Sequence, residues 1–411
     1  MAASSWRLRR GGELDQFFTS DAVGRGLVKM VGNAPVGKVL DLGVGAGSLS
    51  FAALSEWPQA SLVSVDLDEK VEVPLRRKLM GLSDSEHSHL VFDVFDETLP
   101  DKVGQRDFDL AVCNPPFFQP IWRPSFTHIL SDAGLADFAS EGDISAEVVF
   151  LAQNLRMVRE GALVALIVPN GIAVGHKFRR LRRALMKVHK VVSVAQLPPY
   201  SFENTEAHCY IMLIEKGAPQ GSDPIKLIRF NSMMECERAI EIGPDGAVDR
   251  MDYDFHSVVG GADTSLETLR SLGADIRRGS FSSVARRQAD FPVFHTGDFA
   301  TAPARLSLPM VASGTLPERV VVAESGDILL ARVDRFLHDK IALVQDGHCP
   351  ITDCIFRLRL PREEADRVFS SLSTIGARER IKATVKGVGA RVLGKGDLLD
   401  LPLIHPPSIF A

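Results

Sequence analysis

Short apolar runs and longer segments with apolar residues at helical spacing alternate along the first half of the chain. Apolar runs of this length, closed by polar or glycine-rich turns, are typical of strands buried on both faces of a parallel sheet. The alternation therefore predicts an α/β fold. The predicted strands lie near Lys38–Leu42, Ser61–Val65, His89–Phe92, Leu110–Cys113, Gly161–Val168, Val191–Leu197 and Cys209–Ile214.

Helices are predicted between these strands, where apolar residues recur every three or four positions. The first helix follows Thr19, Ser20 and Asp21, which are all good N-caps. The segment Phe118–Asp143 is rich in Phe, Pro, Asp and Ser, and we expect it to be a long loop over a ligand site. The other predicted helices run from the glycine-rich turn through Ala53, over Ile144–Val158 and over the basic segment Lys177–Lys190.

The strand Leu110–Cys113 ends in the tetrapeptide Asn114-Pro115-Pro116-Phe117. Neither proline can donate to a sheet ladder, so the strand delivers this tetrapeptide to its carboxyl end, the edge where open α/β sheets bind ligands. The Asn114 side-chain oxygen and the Pro115 carbonyl oxygen both accept hydrogen bonds, as an exocyclic amine requires, and Phe117 offers a face for a flat base. A proline-rich turn with a core Phe explains the tetrapeptide equally well.

A glycine-rich turn follows the first predicted strand, in the sequence Asp41-Leu-Gly43-Val-Gly45-Ala-Gly47. Glycines allow the backbone to approach a ligand closely, and Asp66, about twenty residues later, is positioned to bind a ribose diol. The spacing lacks the wider dinucleotide pattern, which favours a nucleoside without a pyrophosphate over NAD. Asp93 follows the third strand, where its carboxylate can accept from an adenine amine or belong to a plain turn.

Composition limits the remaining possibilities. At 411 residues and 45% hydrophobic the chain can bury two cores, and its net charge of −5 restricts any nucleic-acid surface to a local patch. The five cysteines show no C-x-x-C spacing, which favours reduced thiols and argues against a zinc site. The first ten residues lack an apolar signal core, and the apolar run Ala162–Val168 is too short to span a bilayer. We therefore expect a cytoplasmic protein without a membrane partner.

The composition changes after Lys216, where residues 217–224 are rich in Gly and Pro. Residues 225–272 carry mixed strand and helix signals with several acids. We expect a first domain at residues 11–216, a connecting region at 217–275 and a further domain at 276–411.

The motifs of the first domain, taken in order, resemble the gamma class of S-adenosylmethionine-dependent methyltransferases that act on adenine N6 in DNA. They are most similar to the modification subunits of type I restriction systems, over about residues 11–216. This resemblance implies a Rossmann-like domain with a seven-stranded, mostly parallel sheet. It is carried by Gln16-Phe-Phe-Thr-Ser, Asp41-Leu-Gly-Val-Gly-Ala-Gly, Val65-Asp66, Phe92-Asp93-Val-Phe95, Asn114-Pro-Pro-Phe117, Val168-Pro-Asn-Gly171 and Leu197 to Thr205.

The same resemblance implies roles for single residues. Asn114 and Pro115 would bind the amine of a flipped adenine in a catalytic loop completed by Pro116, and Phe117 and Phe202 would sandwich its ring. Tyr200 is as plausible a stacking residue as Phe202. No metal is required. The residues implied to hold S-adenosylmethionine are Thr19, Asp41, Gly43, Gly45, Asp66 and Asp93.

Residues 276–408 resemble one target recognition domain of the type I specificity subunits, which implies an α+β fold. The specificity subunits carry two such domains, and this chain has one. Guanidinium groups suit both phosphate contact and readout of guanine. The arginines implied to bind DNA are Arg277, Arg278, Arg332 and Arg335.

Together these features favour a site-specific DNA adenine-N6 methyltransferase of the bacterial cytoplasm, associated with the nucleoid. It would act as an orphan enzyme or within a restriction-modification system. Double-stranded DNA would be its partner, and the protein would work as a homodimer or with a restriction or specificity subunit. Methylation of adenine in RNA or of a protein glutamine amide is the alternative chemistry. A catalytically silent DNA-binding subunit is the alternative of a different class.

Overall fold

The chain divides between Tyr253 and Asp254 into two compact units, each described here by itself. The structure is a computed structural model. It describes residues 19–82, 86–138, 144–202, 208–259, 267–385 and 391–403. The motif residues Gln16, Phe17, Phe18 and Thr205 and the stretch 387–390 lie outside the described residues.

The first unit is built on one nine-stranded sheet, flanked by helices. The strands are β1 (Lys38–Leu42), β2 (Ser61–Asp66), β3 (His87–Val91), β4 (Phe108–Cys113), β5 (Val158–Pro169), β6 (Lys190–Gln196), β7 (Cys209–Glu215), β8 (Ile225–Phe230) and β9 (Cys236–Ile242). The helices are α1 (Asp21–Val31), α2 (Ser48–Glu56), α3 (Glu72–Leu79), α4 (Leu99–Val103), α5 (Ser125–Asp132), α6 (Ala146–Met157), α7 (Asn170–Val174), α8 (Arg179–Val188), α9 (Pro244–Asp249) and α10 (Tyr253–Val259), which runs across the boundary.

The sheet order is β3-β2-β1-β4-β5-β7-β6-β8-β9. The predicted strands are confirmed, but the expected count of seven is wrong, because β8 pairs parallel to β6 and β9 pairs antiparallel to β8. Both added strands come from the segment 217–275 that we expected to be a connecting region. In the described part of the chain β9 forms the sheet's edge, and its residues Cys236 to Ala239 are exposed.

Parallel pairing brings the carboxyl ends of the central strands to one edge. In β1, Leu42 is level with Val65 of β2, and Asp41 is level with Val112 of β4. The segments that follow β1, β2 and β4 therefore begin side by side. These segments are the glycine-rich turn, the end of β2 at Asp66 and the Asn114 tetrapeptide.

Successive strand residues point to opposite faces of the sheet and enter two separate cores. Leu40 and Ala111 belong to one core, and Val39 and Leu110 belong to the other. Helix α1 packs closely against α2 on the second core because Gly24 has no side chain. A Cβ at Gly24 would lie 2.9 Å from the Ser48 carbonyl oxygen.

The segment expected to be a loop over the site contains a core helix instead. In α5, Phe126, Ile129 and Leu130 are fully buried, and the Phe126 ring lies 5.7 Å from the ring of Phe95. Residues 139–143 of the segment lie outside the described residues. Pro, Asp and Ser are common in loops, so composition hid a helix that is held by its burial and not by its helix propensity.

The second unit is an α+β arrangement with a six-stranded sheet and a separate two-stranded pair. Its strands are β10 (Asp275–Arg278), β11 (Ala304–Met310), β12 (Val322–Glu324), β13 (Ile328–Ala331), β14 (Val333–Asp334), β15 (Ile341–Pro350), β16 (Ile355–Arg359) and β17 (Arg391–Val392). Its helices are α11 (Ser283–Gln288), α12 (Arg362–Ser373), α13 (Ile375–Thr384) and α14 (Lys395–Leu399). The main path runs β10-β16-β13-β15-β11, with β12 on β15. Among the described residues, no helix is long and apolar enough to cross a membrane.

Truncation of Phe126 tests whether α5 is a core element. Phe126→Ala should lower the free energy of unfolding by about 3–5 kcal/mol, since it empties a fully buried aromatic site. Urea unfolding of the full chain measures the change. The control is Thr127→Ala, at an exposed position of the same helix, which should change stability by less than about 0.5 kcal/mol. Equal, small effects of both variants would contradict the core assignment.

Candidate active site

Three stretches far apart in the sequence meet at the carboxyl edge of the sheet. Thr19, just before α1, forms an isolated antiparallel bridge with Phe202 in the segment after β6. The Asn114 amide nitrogen Nδ2 donates to the Thr19 hydroxyl oxygen at 2.9 Å. This bond fixes the plane of the Asn114 amide. The hydroxyl that we expected near the cofactor carboxylate thus supports the Asn114 amide.

The four residues of the tetrapeptide differ in how far they are exposed to solvent. Pro115 is buried, whereas Asn114, Pro116 and Phe117 are half-buried. Phe117 packs against the same core that contains Phe202. Phe202 is only 4% exposed, so Phe117 is the more accessible of the two rings that we expected to stack on the base.

The glycine-rich turn after β1 needs its glycines for two different reasons. Gly43, Gly45 and Gly47 all have positive φ, which favours glycine. A Cβ at Gly43 would lie 3.0 Å from the Phe150 ring, and one at Gly47 would lie 2.4 Å from a Leu75 methyl group, so these two sites are closed by packing. Among the residues that the structure describes, a Cβ at Gly45 would meet no atom within 4 Å. The backbone at Gly45 therefore faces open space, as a ligand cradle requires.

Asp66 lies beside this cradle with its carboxylate held in place. Its Oδ2 accepts from the Gly45 backbone N–H at 2.9 Å, and its Oδ1 accepts from the Asp68 backbone N–H at 3.0 Å. Each carboxylate oxygen has a second lone pair that can accept from a ligand hydroxyl. Asp66 is where the sequence predicted a ribose partner, and the residues present fit a nucleoside cofactor.

Asp41 lies behind the cradle and not within it. Its side chain is 1% exposed and accepts a hydrogen bond from the Ser50 hydroxyl at 2.6 Å. Burial, with a smaller contribution from the nearby Asp66 carboxylate, raises the pKa of Asp41 to about 7. This placement does not support the expectation that Asp41 contacts the cofactor, and gives it a structural role under the glycine-rich turn.

Asp93 is engaged by a residue that the sequence did not point to. Its Oδ1 accepts from the Phe95 backbone N–H at 2.9 Å, and its Oδ2 lies 3.0 Å from the Arg123 guanidinium. The Arg123 guanidinium also lies 5.9 Å from the centre of the Phe95 ring. Thirty residues separate Asp93 from Arg123, and no motif or spacing marks the arginine.

In the second unit, two of the predicted DNA-binding arginines converge on one aspartate. Arg278 forms an ion pair with the Asp353 carboxylate at 2.6 Å, and both Arg278 and Arg332 donate to the Asp353 carbonyl oxygen at 3.1 Å. Burial and the neighbouring Arg278 lower the pKa of Arg332 from its ordinary value. Arg277 pairs with Asp275 at 3.0 Å, and Arg335 is exposed. Asp353 thus orients a compact pair of cations on the unit's surface.

Comparison with known proteins identifies the first unit. A family model described as N-6 DNA Methylase matches residues 5–245. The type II methyltransferase M.BsuBI of Bacillus subtilis is 26% identical over 198 residues, covering 44% of this chain and 38% of that protein. A tRNA1(Val) (adenine(37)-N6)-methyltransferase of Porphyromonas gingivalis is 29% identical over 93 residues, covering 21% of this chain and 36% of the relative. The chain thus spans less than two-fifths of the length of these relatives.

One solved structure is similar in fold across nearly the whole chain. The type IIG restriction endonuclease BpuSI superposes with a TM-score of 0.54 at 14% identity, covering 97% of this chain and 59% of that one. At this identity the similarity concerns the fold alone. The family match indicates S-adenosylmethionine as the cofactor, in agreement with the open cradle at Gly45 and the oriented carboxylate of Asp66.

The substitution Asp41→Asn should change how stability depends on pH. The folded-state pKa of Asp41 is about 7, against an ordinary value of 3.8. Asp41 therefore contributes to the free energy of unfolding of the wild-type protein below about pH 4, and this contribution is lost as the pH rises to about 7. The neutral amide escapes this loss. The stability of the variant relative to wild type should therefore rise by a few kcal/mol across this window, at roughly 1.4 kcal/mol per pKa unit.

Urea unfolding at a series of pH values measures this difference. The matched control is Asp107→Asn, since the Asp107 side chain is 57% exposed and pairs with Lys38 at the surface. A stability difference for Asp41→Asn that stays constant with pH would show that the buried carboxyl titrates at an ordinary pKa.

Proposed function

Because the chain belongs to the N-6 DNA methylase family, we propose that it transfers a methyl group from S-adenosylmethionine to N6 of an adenine in double-stranded DNA. The observation that carries the proposal is the position of Asn114. Its amide is oriented by Thr19 at the carboxyl edge of β4, and the Gly45 and Asp66 cradle begins at the same edge, after β1 and β2. An acceptor for an amine and a cradle for a nucleoside are thus adjacent.

The cradle residues would hold the cofactor. Asp66 would accept from the ribose hydroxyls, Gly45 would let the backbone approach, and Asp93 would face the adenine end, while Gly43 would keep the turn in its positive-φ conformation. Thr19, at the start of α1, would lie near the carboxylate. S-adenosylmethionine, when bound, supplies an activated methyl group to the amine nitrogen and leaves as the thioether, while the amine loses one proton.

The chain's own residues would then act mainly by positioning. The Asn114 Oδ1 and the Pro115 carbonyl oxygen would accept the two amine hydrogens, which directs the nitrogen lone pair towards the methyl carbon. Orientation of this kind is worth on the order of 7–11 kcal/mol for well-aligned reactants. Phe117 would stack on the extruded base. Phe202, being buried, would support the pocket wall through its bridge to Thr19.

The second unit is proposed as a target recognition domain. The fold similarity to BpuSI extends over 97% of this chain, so it includes this unit, and the Arg278 and Arg332 pair supplies a local positive patch on an acidic chain. Arg277 and Arg335 are proposed as further phosphate or base contacts. One recognition domain would read a short palindrome, or half of a divided site in a homodimer or with a partner subunit. Action on DNA would place the protein at the bacterial nucleoid.

A second acceptor, adenine in RNA, is favoured by one observation. The Porphyromonas gingivalis relative is named for adenine in tRNA, although it matches only 21% of this chain. The match leaves most of this chain unaligned with that relative. A recognition domain for DNA explains the second unit better than an RNA acceptor does.

The test is a methyl-transfer assay with labelled S-adenosylmethionine on unmethylated genomic DNA, RNA and total protein. We expect label in DNA as N6-methyladenine within one sequence motif, read by modification-sensitive sequencing. Label confined to RNA, or to glutamine in protein, would replace the proposed acceptor. Cofactor binding without transfer would point to a missing partner subunit, and loss of both would revive the silent DNA-binding subunit.

The substitution Asn114→Ala should lower methyl transfer by at least about 100-fold, because the amine loses an oriented acceptor. DNA affinity, measured by fluorescence anisotropy, and cofactor affinity, measured by calorimetry, should change little. Asn33→Ala is the control, since Asn33 is exposed between α1 and β1, on the side of the sheet where the parallel strands begin. Transfer at the wild-type rate by Asn114→Ala would refute the assignment of the catalytic amide.

The substitution Arg278→Gln should weaken DNA binding and reduce its dependence on salt. A lost phosphate contact lowers the slope of log affinity against log salt by about 0.9. The control is Arg270→Gln, whose side chain is 58% exposed and paired with Asp400. If both variants retain the wild-type slope, Arg278 does not contact a phosphate.

A further inference from the structure

Tyr200 adopts a conformation that a large side chain rarely takes. It follows β6, has a φ of 63°, and is 70% exposed. A positive φ costs a glycine nothing but places the Cβ of tyrosine against its own backbone. Residues held in this way, with an aromatic ring left in solvent, concentrate at functional sites. Neither the cofactor cradle nor the Asn114 pocket explains this residue.

The backbone on both sides of Tyr200 is fixed. The Ser201 hydroxyl donates to the Pro198 carbonyl oxygen at 2.7 Å, which closes a tight turn around Tyr200. Pro198 and Pro199 stiffen the approach from β6. Phe202 anchors the other side in the core and bridges to Thr19. The exposed ring is therefore presented by a rigid turn.

This turn lies at the edge of the sheet that carries the site. Strands β5 and β6 both pair antiparallel with β7, so they run in the same direction. Strand β4 pairs parallel with β5 and therefore runs in this direction too. Tyr200 is two residues from the Thr19 bridge, and Thr19 accepts the hydrogen bond from Asn114. An exposed ring thus stands close, along the chain, to the proposed base pocket.

We propose that Tyr200 contacts the DNA duplex beside the target adenine and fills the stack when that base is extruded. This inference rests on the proposed function. Extrusion of a base leaves a gap between its neighbours, and an aromatic ring can replace the lost stacking whatever the flanking bases are. Phe117 and Phe202 belong to the pocket that receives the base, whereas Tyr200 would act on the space that the base leaves.

The experiment compares Tyr200→Phe, Tyr200→Ala and Tyr200→Gly on an unmethylated duplex that contains the recognition motif. Tyr200→Phe keeps the ring and should retain the wild-type kcat/KM. The other two should lower kcat/KM by about 5- to 100-fold, as loss of one aromatic stack does. Tyr200→Gly also relieves the positive φ, so an unchanged or raised melting temperature would exclude misfolding as the cause.

A second substrate separates base extrusion from the chemical step. A duplex with a mismatch opposite the target adenine needs less help to open, so the defect of Tyr200→Ala should shrink towards the wild-type value on it. Fluorescence of 2-aminopurine at the target position should show less extruded base for Tyr200→Ala on the paired duplex. Affinity for S-adenosylmethionine should not change.

Met80→Ala provides the matched control. Met80 is 78% exposed and lies between α3 and β3, on the side of the sheet where the parallel strands begin. It should match wild type in every assay. Tyr200→Ala at the wild-type rate on the paired duplex, or an equal defect on paired and mismatched duplexes, would overturn the role of Tyr200. Absence of DNA methylation by the wild-type protein would instead overturn the proposed function.

Discussion

The parallel alignment of β2, β1 and β4 is the constraint on which the site depends. Because these strands end at one edge, a glycine-rich turn, a carboxylate and an amide from three separate segments begin within reach of one another. The bond from Asn114 to Thr19 then ties this edge to the chain before α1. In the proposed reaction none of these groups acts as an acid, a base or a nucleophile, and their arrangement on strand ends would supply the positioning that the transfer needs.

The sequence predicted the central strands and the site's polar residues because both have strong local patterns. Apolar runs closed by Gly, Asp or Pro mark buried strands, and polar residues after such runs mark the ligand edge. Contacts between distant segments left no such pattern. The ion pair of Arg123 with Asp93 and the bond of Ser50 to Asp41 therefore appeared only in the structure. The burial of Phe202 also appeared only in the structure, since the sequence of a loop does not show whether its aromatic residue is exposed or packed.

The extent of the sheet was underestimated for a related reason. The segment before β8 is rich in Gly and Pro, which predicts a boundary, yet the chain returns to pair with β6. Local composition indicates where a chain turns, but it does not indicate which strand the next segment pairs with. The core helix α5 was missed because its residues favour burial more than they favour helix, and only packing around Phe95 and Phe126 reveals it.

The position of β9 affects how the molecule behaves in solution. A strand at the edge of a sheet offers unpaired backbone groups to any strand of another molecule, which is a route to aggregation. Among the described residues, β9 has β8 as its neighbour, and it carries the exposed charges Glu237, Arg238 and Glu241. A second chain that paired here would bring its own edge against these charges. Extension of the sheet therefore ends in a strand whose charged side chains disfavour pairing with a further strand.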